Sequence, residues 1–211
     1  MDMKTLAELI FDLLDVMDRE ATTVRDGFTT GLYWYGGHAH PASKRPRTEP
    51  AWSKRLAELL ADRGVPAKCE VKYPSPLRRK SCDVVVSISP AENVWIELKT
   101  ADKNYWASRS AWIYRSYLLH PLVPGLDPGK THTVPLDMTK LATLSRTDAA
   151  HVAILLVGFD TPADPMDDDI HELSRVSGLG TVPWSMHRRE WKEPYRPDLR
   201  TRCWFWHRPT T

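Results

Sequence analysis

The 211 residues, 42% hydrophobic and 27% charged, fit one globular domain with an elaboration and exclude a disordered chain or two full domains. Three widely spaced cysteines, Cys69, Cys82 and Cys203, exclude a secreted disulfide framework and a four-cysteine metal site, so a reducing cytoplasm is the expected location. No apolar run reaches about 18 residues, which excludes a membrane span; the net charge of +2 by itself excludes nothing, and early acids at Glu8, Asp12, Asp15 and Asp18 argue against a signal peptide.

Leu6, Leu9, Ile10, Leu13, Leu14 and Met17 recur at helical spacing, so residues 3–20 are expected to form an amphipathic helix with a solvated acidic face. Residues 1–30 carry seven acids and three bases, a local charge of −4. Gly27, Gly31, Gly36, Gly37, Pro41 and Pro46 indicate a loop or hairpin over 26–48 that ends on Lys44, Arg45 and Arg47. Trp52, Leu56, Leu59 and Leu60 mark a second helix over 49–63, with Pro50 near its first turn and Gly64 at its stop.

Three strand-like runs follow at 65–73, 82–89 and 93–98, separated by short turns, and they are expected to form an antiparallel meander. Residues 103–119 are aromatic-rich and expected to be helical, and four prolines make 120–135 a loop. A helix is expected over 137–144, and the apolar run 152–159 has the length of a strand buried on both faces. An acidic loop over 160–169 then leads to a short helix near 170–176. The last segment, 184–211, holds seven Lys or Arg, three acids and six aromatic residues, a local +4. Cations interleaved with flat rings suit a polyanion, because they neutralise phosphates while the rings stack on bases. The competing expectation is a terminal strand pair with core aromatics and solvated arginines.

The most informative stretch is Asp83 followed 14 residues later by Glu97-Leu98-Lys99. Glu97 and Lys99 stand two apart, so on a strand both side chains share one face while Ile96 and Leu98 take the other. A short turn between the strands brings Asp83 beside Glu97. Clustered carboxylates repel unless a cation neutralises them, and hard oxygen donors suit Mg2+ or Mn2+. Arg78, Arg79 and Lys80, in the turn before Asp83, are placed to grip phosphates.

These residues resemble the PD-(D/E)xK nuclease superfamily, the restriction-endonuclease-like fold, over about residues 49–160. The resemblance rests on a leading helix with an acid, the strand Glu70-Val71-Lys72-Tyr73-Pro74, then Asp83, Glu97-Leu98-Lys99, and a later helix and buried strand. It implies an α/β fold with a central mixed sheet of four to five strands flanked by helices, and metal-dependent phosphodiester hydrolysis. Asp83 and Glu97 would be metal ligands with the Leu98 carbonyl, and Lys99 would orient or help deprotonate the attacking water. Glu49 is the first choice for the leading-helix acid, with Glu58 or Glu70 as alternatives. Cys82 stands where the motif has proline.

Three weaker signals do not make a site. Residues 125–131 hold one residue too few between their glycines for a phosphate-binding loop, His38 and His40 lack a second close pair, and Asp167-Asp168-Asp169 lacks the spacing of a calcium loop. Three organisational units are expected: an N-terminal helix and basic loop over 1–48, a nuclease-like core over 49–160, and an elaboration over 161–211. The expectation is therefore a cytoplasmic, Mg2+-dependent nuclease acting on DNA. Two cuts at one point in a duplex would call for a homodimer. The alternatives are a nucleic-acid-binding or scaffold protein of the same fold without chemistry, and a nuclease acting on RNA or single strands.

Overall fold

The computed structural model describes residues 1–20, 24–25, 28–29, 48–103, 118–119, 133–176, 183–192 and 200–211. In chain order these form α1 (Met3–Glu20), a small hairpin β1 (Val24–Arg25) and β2 (Phe28–Thr29), α2 (Thr48–Asp62), β3 (Ala67–Lys72), β4 (Ser81–Ser89), β5 (Glu92–Asp102), α3 (Val134–Leu141), β6 (His151–Asp160), α4 (Asp167–Val176), β7 (Ser185–Lys192) and β8 (Arg200–Pro209). The helix expected over 103–119 and the loop over 120–135 lie almost wholly outside the described residues, as do His38, His40 and the 125–131 motif.

Local chemistry sets the helix ends. Asp2 caps α1 by accepting the Thr5 N–H at 2.8 Å, satisfying a donor that has no partner inside the helix. At the end of α2, Gly64 takes φ +75° while Gly64 N–H and Val65 N–H donate to the carbonyls of Ala61 and Leu60, a turn that glycine adopts at least cost. Thr133 caps α3, which starts at Val134 rather than at the expected residue 137 because Pro135 fits the first turn, where its missing N–H goes unused. The acids Asp167, Asp168 and Asp169 form the first turn of α4 rather than the expected loop, where they complement the positive end of the helix.

The large sheet has six strands in the order β3-β4-β5-β6-β8-β7. β5 and β6 run parallel and every other neighbour pair is antiparallel, so the sheet is mixed. The meander β3-β4-β5 is as expected, but the strand count exceeds four to five because the aromatic tail enters the sheet as β7 and β8. Trp204, Phe205 and Trp206 are core residues, and Arg202 and Arg208 are buried rather than solvated.

Strand alternation divides the core. Val84, Val86, Val94, Ile96, Leu98, Leu155, Val157 and Phe205 pack against the apolar stripes of α1 and α2. Trp95, Ile154, Leu156, Trp204 and Trp206 pack on the opposite face with Met138 and Leu141 of α3 and Ile170 and Leu173 of α4. Because β6 is buried on both faces, it has no polar side to offer solvent. α1 is not merely solvated on its acidic side: Glu8 and Asp12 each take a 2.5 Å ion pair from Arg189 of β7.

Gly158 on β6 sits where a Cβ would fall 2.6 Å from a Trp204 ring carbon and 2.9 Å from the Met166 sulfur. Gly158→Ala is therefore expected to destabilise the fold by about 1–3 kcal/mol through overpacking, read from urea unfolding midpoints.

His187 and His207 meet across β7 and β8 with ring planes 6° apart, centroids 5.3 Å apart and Nε2 atoms 3.2 Å apart, within hydrogen-bond distance. Burial, then His187 and His151, lowers the His207 pKa to about 4. Between the ordinary value near 6.5 and that lowered value His207 binds more proton in the unfolded chain than in the folded one, so its contribution to stability rises with pH. Melting temperature is expected to fall as pH drops from about 6.5 towards 4. His207→Phe should flatten that dependence; an unchanged slope would remove the pair as its source.

Candidate active site

The site forms where β4 parts from β5. Their ladder runs from Ser89–Glu92 to Val84–Ile96. At the next step the Asp83 carboxylate accepts the Leu98 N–H at 2.7 Å, standing in for a ladder partner. Continuing the register sets Asp83 opposite Glu97, as the spacing anticipated. A residue's N–H and C=O leave the same side of a strand, so the Leu98 carbonyl also faces this gap.

Tyr73 reaches the same place from β3. Ala67, near the start of the strand, packs towards α1 and α2, whereas Val71 and Tyr73, of the same parity, pack on the other face. The switch coincides with Glu70, which holds φ +53°, a left-handed conformation that costs a non-glycine residue roughly 1–2 kcal/mol. The turned strand delivers the Tyr73 hydroxyl 2.6 Å from Glu97 Oε1, to which it donates.

From the opposite side α3 contributes Asp137 and Lys140. Asp137 is fully buried and bracketed by two ammonium groups: Lys99 lies 2.8 Å from Oδ2, and Lys140 is in contact with Oδ1. Lys140 also donates to Glu97 Oε1 at 3.0 Å. The result is a chain of groups, Tyr73, Glu97, Lys140, Asp137 and Lys99, with Asp83 at its side. Sequence reasoning missed Tyr73, Asp137 and Lys140. The overlooked signal is the placement of Asp137 in the stripe Val134, Met138, Leu141, where a helix facing a sheet ordinarily carries an apolar residue.

The charges interact strongly. Burial, then the Asp137 and Asp83 carboxylates, raises the Glu97 pKa well above the carboxylate range, against the pull of Lys140 and Lys99. Burial also works to raise that of Asp137, but Lys99 and Lys140 together outweigh it and hold the group below its ordinary value. Burial likewise disfavours the Lys140 ammonium, but Asp137 and Glu97 overcome it and raise the pKa. Tyr73 is held as the neutral phenol, by burial first and then by nearby Cys82 and Glu97. Burial also keeps the Cys82 thiol protonated, and its sulfur lies 3.2 Å from the Ile96 carbonyl.

Among the described residues, three carboxylates against two ammonium groups give the cluster one negative charge in excess when all are ionised. Asp83 Oδ1 and Glu97 Oε2 have no protein partner among the described residues. No three His, Cys, Asp or Glu side chains converge as a ligand set among the described residues. A metal here would therefore rest on two carboxylates, a backbone carbonyl and water, and Mg2+, which usually keeps several waters, is bound in that manner. The donor chemistry fits such an ion.

The other site residues chosen from sequence are placed as follows. Glu49 lies in the first turn of α2, with its side chain outside what is described. Glu58 pairs with Arg55 at 3.2 Å on the solvent side of α2, a helix that packs on the sheet face opposite Glu97. Glu70 is exposed and stands across β3 and β4 from Asp83. Arg78, Arg79 and Lys80 are exposed in the turn that starts after Tyr73 and ends at Ser81, two residues before Asp83.

Strand register also places part of the basic tail. Lys99 pairs with Leu156, Leu156 with Trp204, and Trp204 with Arg188, so Arg188 shares the face of Lys99. Three strand spacings separate them, about 14 Å. Beside Arg188 is a cleft of about 430 Å³ lined also by Arg200, Arg202, Trp204 and Asp167. Much of its positive charge is already engaged: Arg200 pairs with Asp160, and Arg202 with Asp160 and Asp167.

Fold and site together define an α/β protein with an acid–lysine cluster buried on one face of a six-stranded mixed sheet. No family model matches the chain, and no curated protein and no solved structure matches it. No helix among the described residues is long and apolar enough to cross a membrane.

Proposed function

We propose that the chain is a divalent-metal-dependent nuclease of the restriction-endonuclease-like fold, acting on DNA. The observation that carries this reading is the meeting of Asp83, Glu97 and Lys99 at the point where β4 leaves β5, with Asp83 Oδ1 and Glu97 Oε2 unclaimed among the described residues. The order α2, β3, β4, β5, α3, β6, a helix before a three-strand meander and then a helix and a parallel strand, supports the finer fold assignment.

Asp83, Glu97 and the Leu98 carbonyl would hold Mg2+ or Mn2+. When bound, such an ion supplies positive charge to a phosphate in transfer and makes water more acidic. Lys99, fixed by Asp137 beneath it, would orient the attacking water and hold a proton close to it. Tyr73 holds Glu97 in position, and Lys140 adds a second contact in the absence of metal. The exposed Arg78, Arg79 and Lys80 beside the site would bind phosphates, which sets register on the substrate rather than sequence preference. Positioned acids and bases alone give about 10²–10⁴-fold acceleration, far less than phosphodiester cleavage demands, so the reading requires the metal.

The test is incubation of the full chain with plasmid and linear DNA in Mg2+ or Mn2+, with a chelator control. Cleavage only with metal supports the reading. One observation favours a binding protein without chemistry: Lys140 already lies on Glu97. That protein would bind DNA equally well with and without divalent metal and would leave it intact.

A further inference from the structure

Lys99 and Lys140 both neutralise the acid cluster, but they are held differently. Lys99 extends from the middle strand β5 and its side chain is 5% exposed. Lys140 extends from the last turn of an eight-residue helix, and its side chain is 14% exposed. Its long flexible stem and compact charge can leave for solvent with little rearrangement. Its ammonium touches Asp137 Oδ1, lies 3.0 Å from Glu97 Oε1 and sits over the Tyr73 ring, 5.8 Å from the centroid.

The charge count gives this placement a meaning. With Lys140 in place and all three carboxylates ionised, as metal ligation would require of Asp83 and Glu97, the described groups leave one net negative charge. With Lys140 withdrawn, Asp83, Glu97, Asp137 and Lys99 leave two, which one divalent cation neutralises. We infer that Lys140 is a tethered counter-cation that occupies the acid cluster in the metal-free protein and yields its place on Glu97 when a divalent ion enters. This inference rests on the proposed metal site. Lys140 would thus be a positioning residue that sets metal affinity, with Asp137 retaining Lys99 as its partner throughout.

The test is Mn2+ binding by the full-length protein without DNA, measured by electron paramagnetic resonance of free Mn2+ and by thermal shift. Lys140→Gln removes the competing charge and keeps a polar side chain, and is expected to bind Mn2+ about tenfold or more tightly than wild type. It should also show the larger Mn2+-induced rise in melting temperature. Lys140→Arg keeps the charge and should bind no more tightly than wild type. If wild type binds Mn2+ while Lys140→Gln binds equally or more weakly, Lys140 is not a displaced cation, although the metal site stands. Folded wild type, Lys140→Gln and Lys140→Arg proteins that all fail to bind Mn2+ would overturn both the metal site and this inference.

Discussion

Replacing Asp137 with alanine is expected to destabilise the protein by about 3–5 kcal/mol, the usual cost of removing one partner from a buried ion pair. The carboxylate is fully buried and lies between two ammonium groups. Its loss leaves the Lys99 and Lys140 ammonium groups without the carboxylate between them, while burial still opposes the charge on Glu97. Asp137→Asn keeps the volume and removes only the charge, so a comparable loss in that variant would assign the effect to electrostatics rather than to a cavity. Chemical unfolding of the two variants beside wild type gives the comparison. A loss below about 1 kcal/mol in both would show that the cluster is not a structural element of the core.

The second large effect concerns Lys99. Lys99→Met retains the length of the stem and removes the ammonium that the proposed reaction uses. The expected result is a fall in kcat of about 10²–10⁴-fold. DNA affinity measured in chelator should change little, because the proposed phosphate contacts belong to Arg78, Arg79 and Lys80. Asp137 keeps Lys140 as a partner in this variant, so the protein should remain folded, which circular dichroism checks. Equal losses in DNA binding and turnover would make Lys99 a phosphate-binding residue instead.

How much of this could be read in the chain depends on what each residue's role requires. Period-2 alternation alone places Glu97 and Lys99 together, because one strand carries both. Asp83 follows from the next strand and a short turn. The apolar stripes of α1 and α2 and the run that becomes β6 depend on local spacing in the same way.

The rest of the site depends on non-local geometry. Tyr73 reads as the end of a strand, and only the left-handed turn at Glu70, a residue with no bias towards that conformation, brings it onto Glu97. Asp137 and Lys140 lie 40 and 43 residues after Glu97, and α3 was expected to begin three residues late because Pro135 was read as loop rather than as a first-turn residue. The basic tail forms the terminal strand pair with core aromatics, but its arginines are not simply solvated. Its charge suggested a polyanion surface, but Arg189, Arg200 and Arg202 are engaged by Glu8, Asp12, Asp160 and Asp167, partners that composition does not reveal. Arg188 shares the face of Lys99 among the described residues of the tail.

The overall +2 thus conceals internal pairing as well as segments of opposite sign. The acidic start and basic end of the chain meet where Arg189 crosses to α1, and the buried acid–lysine cluster stands apart from both. The DNA assignment depends on that cluster rather than on the balance of surface charge.

The central claim is that Asp83, Glu97 and Lys99 form a metal-dependent centre that cuts DNA. The direct measurement is the cleavage rate of a labelled duplex in Mg2+ for wild type and Asp83→Asn, purified side by side and both verified as folded. The account expects cleavage by wild type that stops on chelation, and a rate at least about 10²-fold lower for Asp83→Asn. Cleavage by Asp83→Asn at the wild-type rate, or folded wild type that leaves DNA intact in both Mg2+ and Mn2+, would contradict it.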